Sequence, residues 1–254
     1  MSEITSDNNA KQLVIEIDNL KKSFGKSVVL NGLNLQLFEE ENLVVLGKSG
    51  SGKSVLIKLI AGLINADSGM INVFNEDVTQ MNSDSISEMR KKIGFLFQSG
   101  ALYDSMSVRQ NLEFPLSRIR KELSPEERLE KIKDVLENVG LPDVLDKMPS
   151  ELSGGMRKRI GLARTIVVDP KIMLYDEPTT GLDPTTSYEI SQLMLKIQEK
   201  YKTASIIITH DIACARIVAN RLVMLQDGTV YKEGEVEDFE NSDDKVIKSF
   251  FNSI

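Results

Sequence analysis

Gly47-Lys48-Ser49-Gly50-Ser51-Gly52-Lys53-Ser54 follows directly on the apolar run Leu43-Val44-Val45-Leu46 and leads directly into Val55-Leu56-Ile57-Lys58-Leu59-Ile60. The run before it reads as a buried parallel strand and the segment after it as a helix. Between them stands G-x-x-x-x-G-K-[ST], in the strand–loop–helix setting that gives this motif its meaning. The residue types dictate the chemistry. Gly47, Gly50 and Gly52 accept backbone angles that let a loop wrap closely round a ligand. The loop's N–H groups, those of Lys48, Ser49 and Ser51 included, then converge on phosphate oxygens, and the helix adds its positive end. Lys53 brings a full cation to the β- and γ-phosphates, and the Ser54 hydroxyl can ligate Mg²⁺. A dinucleotide site fits less well, because Gly50-Ser51-Gly52 is followed by Val55 where a small residue is needed. The stretch reads as a nucleoside triphosphate site.

The 254 residues can bury a substantial core in one large domain or two small ones. A hydrophobic share of 41% and a charged share of 27% fit a soluble globular protein. The net charge of −7 argues against a general nucleic-acid-binding surface, so no nucleic-acid partner is expected. The single Cys214 cannot form an internal disulfide. The first eleven residues are polar without a signal-like apolar run, and no stretch approaches the roughly 20 apolar residues of a membrane helix. Any membrane role therefore falls to a separate partner chain.

In chain order, residues 1–10 read as a loose, disordered terminus. Residues 13–17 and 28–37 read as strands, with turn material at Gly25-Lys26. Phe24 lies between them and admits two readings: a ring that stacks on an adenine, or an ordinary core aromatic. Asp67-Ser68-Gly69 reads as a turn before a strand at 70–74, 75–92 as a loop with a short helix, and 93–97 as a buried strand ending at Gln98. From 99 to about 152 the pattern is helical, and Ser124-Pro125-Glu126-Glu127 is a capping box with proline at the first helical position. This region reads as a helical subdomain inserted into an α/β core. Helices from Ser153, Asp183-Pro184 and residue 212 alternate with strands at 172–175 and 205–209, and a hairpin turns at Asp227-Gly228. Strands alternating with helices imply a mostly parallel sheet covered on both faces. Residues 236–254 read as a C-terminal tail.

Asp176 stands at the end of the strand Ile172-Met173-Leu174-Tyr175, where α/β ligand sites form, and a carboxylate there can hold Mg²⁺ through water. Glu177, one residue on, suits a general base that orients or deprotonates an attacking water. Leu152-Ser153-Gly154-Gly155-Met156 places an N-cap and two glycines at the positive end of a helix. That is a second anion site, although locally an ordinary N-cap explains it as well. The Arg157-Lys158-Arg159 run after it reads as a solvated helix face.

Together GKSGSGKS at 47–54, Gln98, LSGGM at 152–156, IMLYDEP at 172–178, GLD at 181–183 and His210 resemble the ATPase subunit of ATP-binding cassette (ABC) transporters. The resemblance covers about residues 13–235. It implies an ABC-type nucleotide-binding domain over about 11–235, with a small antiparallel β subdomain beside the parallel core. It also implies ATP and Mg²⁺ as cofactors and a head-to-tail dimer. In that dimer Ser153, Gly154 and Gly155 of one chain contact the γ-phosphate held by Gly52, Lys53 and Ser54 of the other. Gln98 reaches the Mg²⁺ and the attacking water, His210 is the switch histidine on the γ-phosphate, and Asp183 sits at the dimer interface. The implied place is the cytoplasmic face of the inner membrane, peripherally, on integral permease subunits.

The stretches LSGGMRKR and Gln98-Ser99-Gly100-Ala101-Leu102 look like those of bacterial Mla-type lipid-transport ATPases. That likeness implies an MCE-type substrate-binding protein, a small regulatory subunit and phospholipid as cargo. Importers of other small solutes and a soluble, regulatory ATPase of the cell-division type are the alternatives. Chromosome and repair relatives carry a long coiled coil that the interval from Lys53 to Ser153 is too short to hold. Translation relatives carry two cassettes, and one is seen here.

Overall fold

The computed structural model describes residues 11–251. The expected disordered segment 1–10, and residues 252–254 of the tail, lie outside the described residues. Two sheets organise the chain. The first is a four-stranded antiparallel sheet in the order β2-β1-β4-β5, made of β1 (Leu13–Phe24), β2 (Ser27–Phe38), β4 (Ser68–Val73) and β5 (Glu76–Asp77). The second is six-stranded in the order β10-β9-β3-β8-β7-β6. Its strands are β3 (Asn42–Leu46), β6 (Ile93–Leu96), β7 (Ile172–Asp176), β8 (Ala204–Ile208), β9 (Arg221–Gln226) and β10 (Thr229–Gly234). Only the β9–β10 hairpin is antiparallel in it, and Asp227 and Gly228 both take positive φ in its turn. This is the mostly parallel core with a small antiparallel sheet beside it.

The helices are α1 (Lys53–Ile60), α2 (Ser83–Arg90), α3 (Val108–Ile119), α4 (Pro125–Asn138), α5 (Gly154–Ile166), α6 (Pro184–Tyr201), α7 (Ile212–Val218), α8 (Val236–Glu240) and α9 (Lys245–Phe251). Both faces of the large sheet are covered, so its strands alternate between two cores with a period of two. Val44 and Leu46 of β3, with Met173 and Tyr175 of β7, pack against residues of α3 to α7. Leu43, Val45, Ile172 and Leu174 pack instead against α1, α2 and the antiparallel sheet. Because every strand side chain meets a core, these strands read in sequence as unbroken apolar runs. Their carboxyl ends all open on the same edge, where the phosphate loop begins.

Three local readings change. β1 continues through Asn19 (φ 46°) to Phe24, and Ser68 and Gly69 are the first residues of β4 rather than a turn. A register shift between Asp18 and Lys21 absorbs the irregularity and keeps the pairing intact. The tail after Gly234 folds as two helices, with Phe239, Ile247 and Phe251 buried in the core that faces α3 to α7.

Candidate nucleotide site

The phosphate loop leaves β3 and enters α1 through Gly52, whose φ of 99° is left-handed. A Cβ there would lie 2.8 Å from Leu30 Cδ2 and 3.0 Å from the Val29 carbonyl oxygen, so both conformation and space require glycine. Gly47 is different: its φ is ordinary, but a Cβ would meet Ser51 Oγ at 2.5 Å and the Leu225 carbonyl oxygen at 2.8 Å. No side chain caps α1, so its first N–H groups are left for a ligand. Lys53 is buried and curls back across the loop, donating to the carbonyl oxygens of Gly47 (2.7 Å) and Lys48 (3.1 Å). Burial lowers its pKa from the ordinary lysine value, while Glu177 and Asp176 act to raise it.

Ser54 donates from Oγ to Asp176 Oδ1 at 3.0 Å, joining the start of α1 to the end of β7. These two oxygen donors, with the exposed Gln98 just beyond β6, are of the hard type that Mg²⁺ prefers. Glu177 takes a left-handed φ of 50° and donates its N–H to the Ile208 carbonyl oxygen at 2.9 Å. Its Oε2 accepts from Thr180 Oγ1 (3.1 Å) and lies 2.8 Å from His210 Nδ1. The Glu177 side chain is 14% exposed and that of His210 63%, so the histidine forms the solvent side of the pair.

A cleft of about 600 Å³ is lined by Phe24 and Val29, the loop with Lys53 and Ser54, and Gln98, Glu177, Thr180 and His210. Phe24 is 52% exposed, which removes its core reading and leaves its ring at the wall of the cleft.

The chain does not bring the second anion site to this cleft. Ser153 caps α5, its Oγ accepting from the Met156 N–H at 3.2 Å. Ser153, Gly154 and Gly155 line a separate depression of about 450 Å³ with Leu182, Asp183 and Thr186, and it shares no lining residue with the first. Asp183 caps α6 and accepts from the Thr186 N–H (3.1 Å) and hydroxyl (2.6 Å), which hold its carboxyl below the usual carboxylate range.

Sequence reasoning missed Thr180 and Lys158. Lys158 corrects the solvated reading of 157–159: Arg157 is exposed, but Lys158 is buried beneath Gln98 and Glu177. The helical period held the clue, since 158, 162 and 165–166 fall on one face of α5 and all four positions are buried.

The sequence model described as "ABC transporter" matches residues 30–180, more than half of the chain and every motif from the phosphate loop to Thr180. The chain belongs to the ABC transporter family. As a cassette of that family it is an ATPase, and it binds ATP with Mg²⁺. The cassette is 38% identical over 240 residues to the probable ribonucleotide transport ATP-binding protein mkl of Mycobacterium leprae, covering 94% of this chain and 69% of the relative. It is 33% identical over 237 residues to the methionine import ATP-binding protein MetN of Brucella abortus, covering 93% of this chain and 64% of the relative. The chain thus spans about two thirds of the length of these relatives. Among solved structures, the ATP-binding cassette MJ0796, in a dimeric post-hydrolysis state bound to ADP and Pi, superposes with a TM-score of 0.79 at 33% identity. That match covers 87% of this chain and 98% of the other.

Proposed function

We propose that the cassette pairs head to tail with a second copy round two Mg-ATP and powers a separate membrane permease that moves phospholipid. One observation carries the pairing: a single chain holds two anion-binding ends, Lys53 in one cleft and Ser153-Gly154-Gly155 in another, and they do not meet. A second copy, turned head to tail, lets each close on the other. The dimeric state of the MJ0796 cassette supports this arrangement.

Within each site, Phe24 stacks on the adenine and the loop from Gly47 to Ser54 cradles the phosphates. Ser54, Asp176 and Gln98 would hold Mg²⁺, which neutralises phosphate charge when bound. Glu177 accepts a proton from the attacking water as its oxygen bonds to the γ-phosphorus and the bond to ADP breaks. His210 and Thr180 hold the Glu177 carboxylate in place. Asp183 lies at the interface. Residues 11–235 form the cassette unit in this reading, with 99–152 as its helical subdomain.

No helix among the described residues is long and apolar enough to cross a membrane, which supports a peripheral place on permease subunits at the cytoplasmic face. The docking surface lies after Gln98. Leu102 packs on the core, whereas Tyr103 is 44% exposed, edge-on to Phe114 at 5.3 Å. The Mla-like stretches favour phospholipid as cargo, with an MCE-type protein and a small regulatory subunit completing the complex. The ribonucleotide transport of mkl and the methionine import of MetN favour a second reading, transport of a small polar solute. Reconstitution with the permease in vesicles carrying labelled phospholipid and labelled methionine separates them. ATP-dependent lipid transfer is expected, and methionine movement without lipid transfer rejects the lipid assignment.

A further inference from the structure

We propose that Lys158 is a positioning residue for hydrolysis, tying the helix that carries Ser153-Gly154-Gly155 to Gln98 and Glu177 of the same chain. The reading rests on the role proposed above for Glu177. Lys158 stands in the second turn of α5 and is 7% exposed. The flanking cations are spent elsewhere: Arg157 donates to the Leu152 carbonyl oxygen at 2.8 Å, and Arg159 pairs with Glu189 at 2.7 Å. The Lys158 ammonium donates to the carbonyl oxygens of Gln98 and of Glu177, the latter at 3.4 Å.

Those two carbonyls lie just beyond the ends of β6 and β7, which are neighbouring parallel strands. Hydrogen bonds of the regular ladder do not reach them, so the lysine takes the place of a ladder at the point where both strands open into the cleft. The Glu177 peptide is the one that most needs holding. Its φ of 50° is unusual for a residue with a side chain, and such a conformation persists only where its surroundings fix it. Ile208 holds its N–H, and its carbonyl accepts from both the Thr180 N–H at 3.3 Å and Lys158. Together they set the direction in which the carboxylate leaves the backbone.

The same ammonium rides on α5. A shift of that helix, when a partner's nucleotide engages its N-terminus, therefore acts on Gln98 and Glu177 of its own chain. Lys158 thus links the occupancy of one ATP site to the alignment of the base in the other.

The test uses Lys158→Met, which keeps the length and removes the donors, and Lys158→Gln, which restores an uncharged donor. Melting temperature, ATP affinity and steady-state hydrolysis are measured on each, with Glu177→Gln alongside. Lys158→Met is expected to lower kcat by about 10- to 100-fold, the scale of a small misalignment, with KM for ATP changed less than about twofold. Lys158→Gln is expected to recover most of that loss. Wild-type kcat in Lys158→Met overturns the proposal. So does a loss of kcat that only tracks lower melting temperature and weaker ATP binding, or a Lys158→Gln as impaired as Lys158→Met. Wild-type turnover in Glu177→Gln instead overturns the role of Glu177 itself.

Discussion

Glu177 holds a left-handed backbone at a cost of about 1–3 kcal/mol for a residue with a side chain. His210, Thr180 and the Ile208 carbonyl together offset that cost and aim one carboxylate oxygen into the cleft. Glu177→Gln keeps the shape and loses the proton acceptor, so hydrolysis is expected to slow by about 10²-fold or more with ATP affinity retained. Steady-state turnover and equilibrium binding of ATP check the two halves of that expectation. Lys53→Ala acts on the ground state as well. It removes the cation placed to face the phosphates and leaves the Gly47 carbonyl without its donor, while the Lys48 carbonyl keeps the Ser51 N–H at 3.2 Å. ATP binding is expected to weaken by about 10- to 100-fold, as for the loss of hydrogen bonds to a charged group, and hydrolysis to fall below detection. Unchanged turnover in that variant would show that the loop is not the phosphate site.

Elements differ in how plainly their sequences declare them. β3, β7 and β8 were legible because a strand buried on both faces has no polar alternation to blur it. α4 was legible from its boundary: Ser124 and Glu127 make the reciprocal cap that the spacing implies, at 3.2 and 2.7 Å. α8 and α9 were not: α8 is acidic and completes too few turns in five residues to show a period, and α9 follows the polar run 241–244, which reads as loop. The far end of β1 was hidden by Asp18-Asn19, which interrupts the apolar pattern at the irregular pairing. In the site, the phosphate loop, Asp176 and Glu177 were readable from residue type, while Lys158 was masked by charge and Thr180 by lacking any motif. The tail carries a stability prediction. Phe239 is 1% exposed and its ring centroid lies 6.0 Å from that of Phe251, so Phe239→Ala should cost about 3–5 kcal/mol in denaturant unfolding. Ser124→Ala, which removes only a cap, should cost about 1 kcal/mol in the same measurement. A near-zero effect at Phe239 would mean that α8 and α9 do not belong to the core.

At the scale of the whole molecule, the pairing proposed above treats the chain as two halves of a site that lie in separate depressions. The loop end holds the cation and the base, and the α5 end holds the spare N–H groups, in depressions with no residue in common. In the proposed pairing a second copy brings the α5 end of one chain to the loop end of the other. Isologous pairing of this kind makes each ATP site a composite of two chains. A mixing experiment follows from that geometry. Lys53→Ala destroys the loop half and Ser153→Arg, which fills the exposed cap with a long side chain, destroys the other half. Each variant alone has no intact composite site and should be inactive. In the mixture, a mixed dimer pairs the sound loop of the Ser153→Arg chain with the sound α5 end of the Lys53→Ala chain. One intact site is thereby rebuilt, and ATP hydrolysis should return. Sites confined within single chains could not complement in this way. Size measurement of Glu177→Gln in saturating Mg-ATP supplies the independent check, since blocked hydrolysis should hold the two copies together. A mixture as silent as its components, with a Glu177→Gln chain that stays monomeric in ATP, would reject head-to-tail pairing.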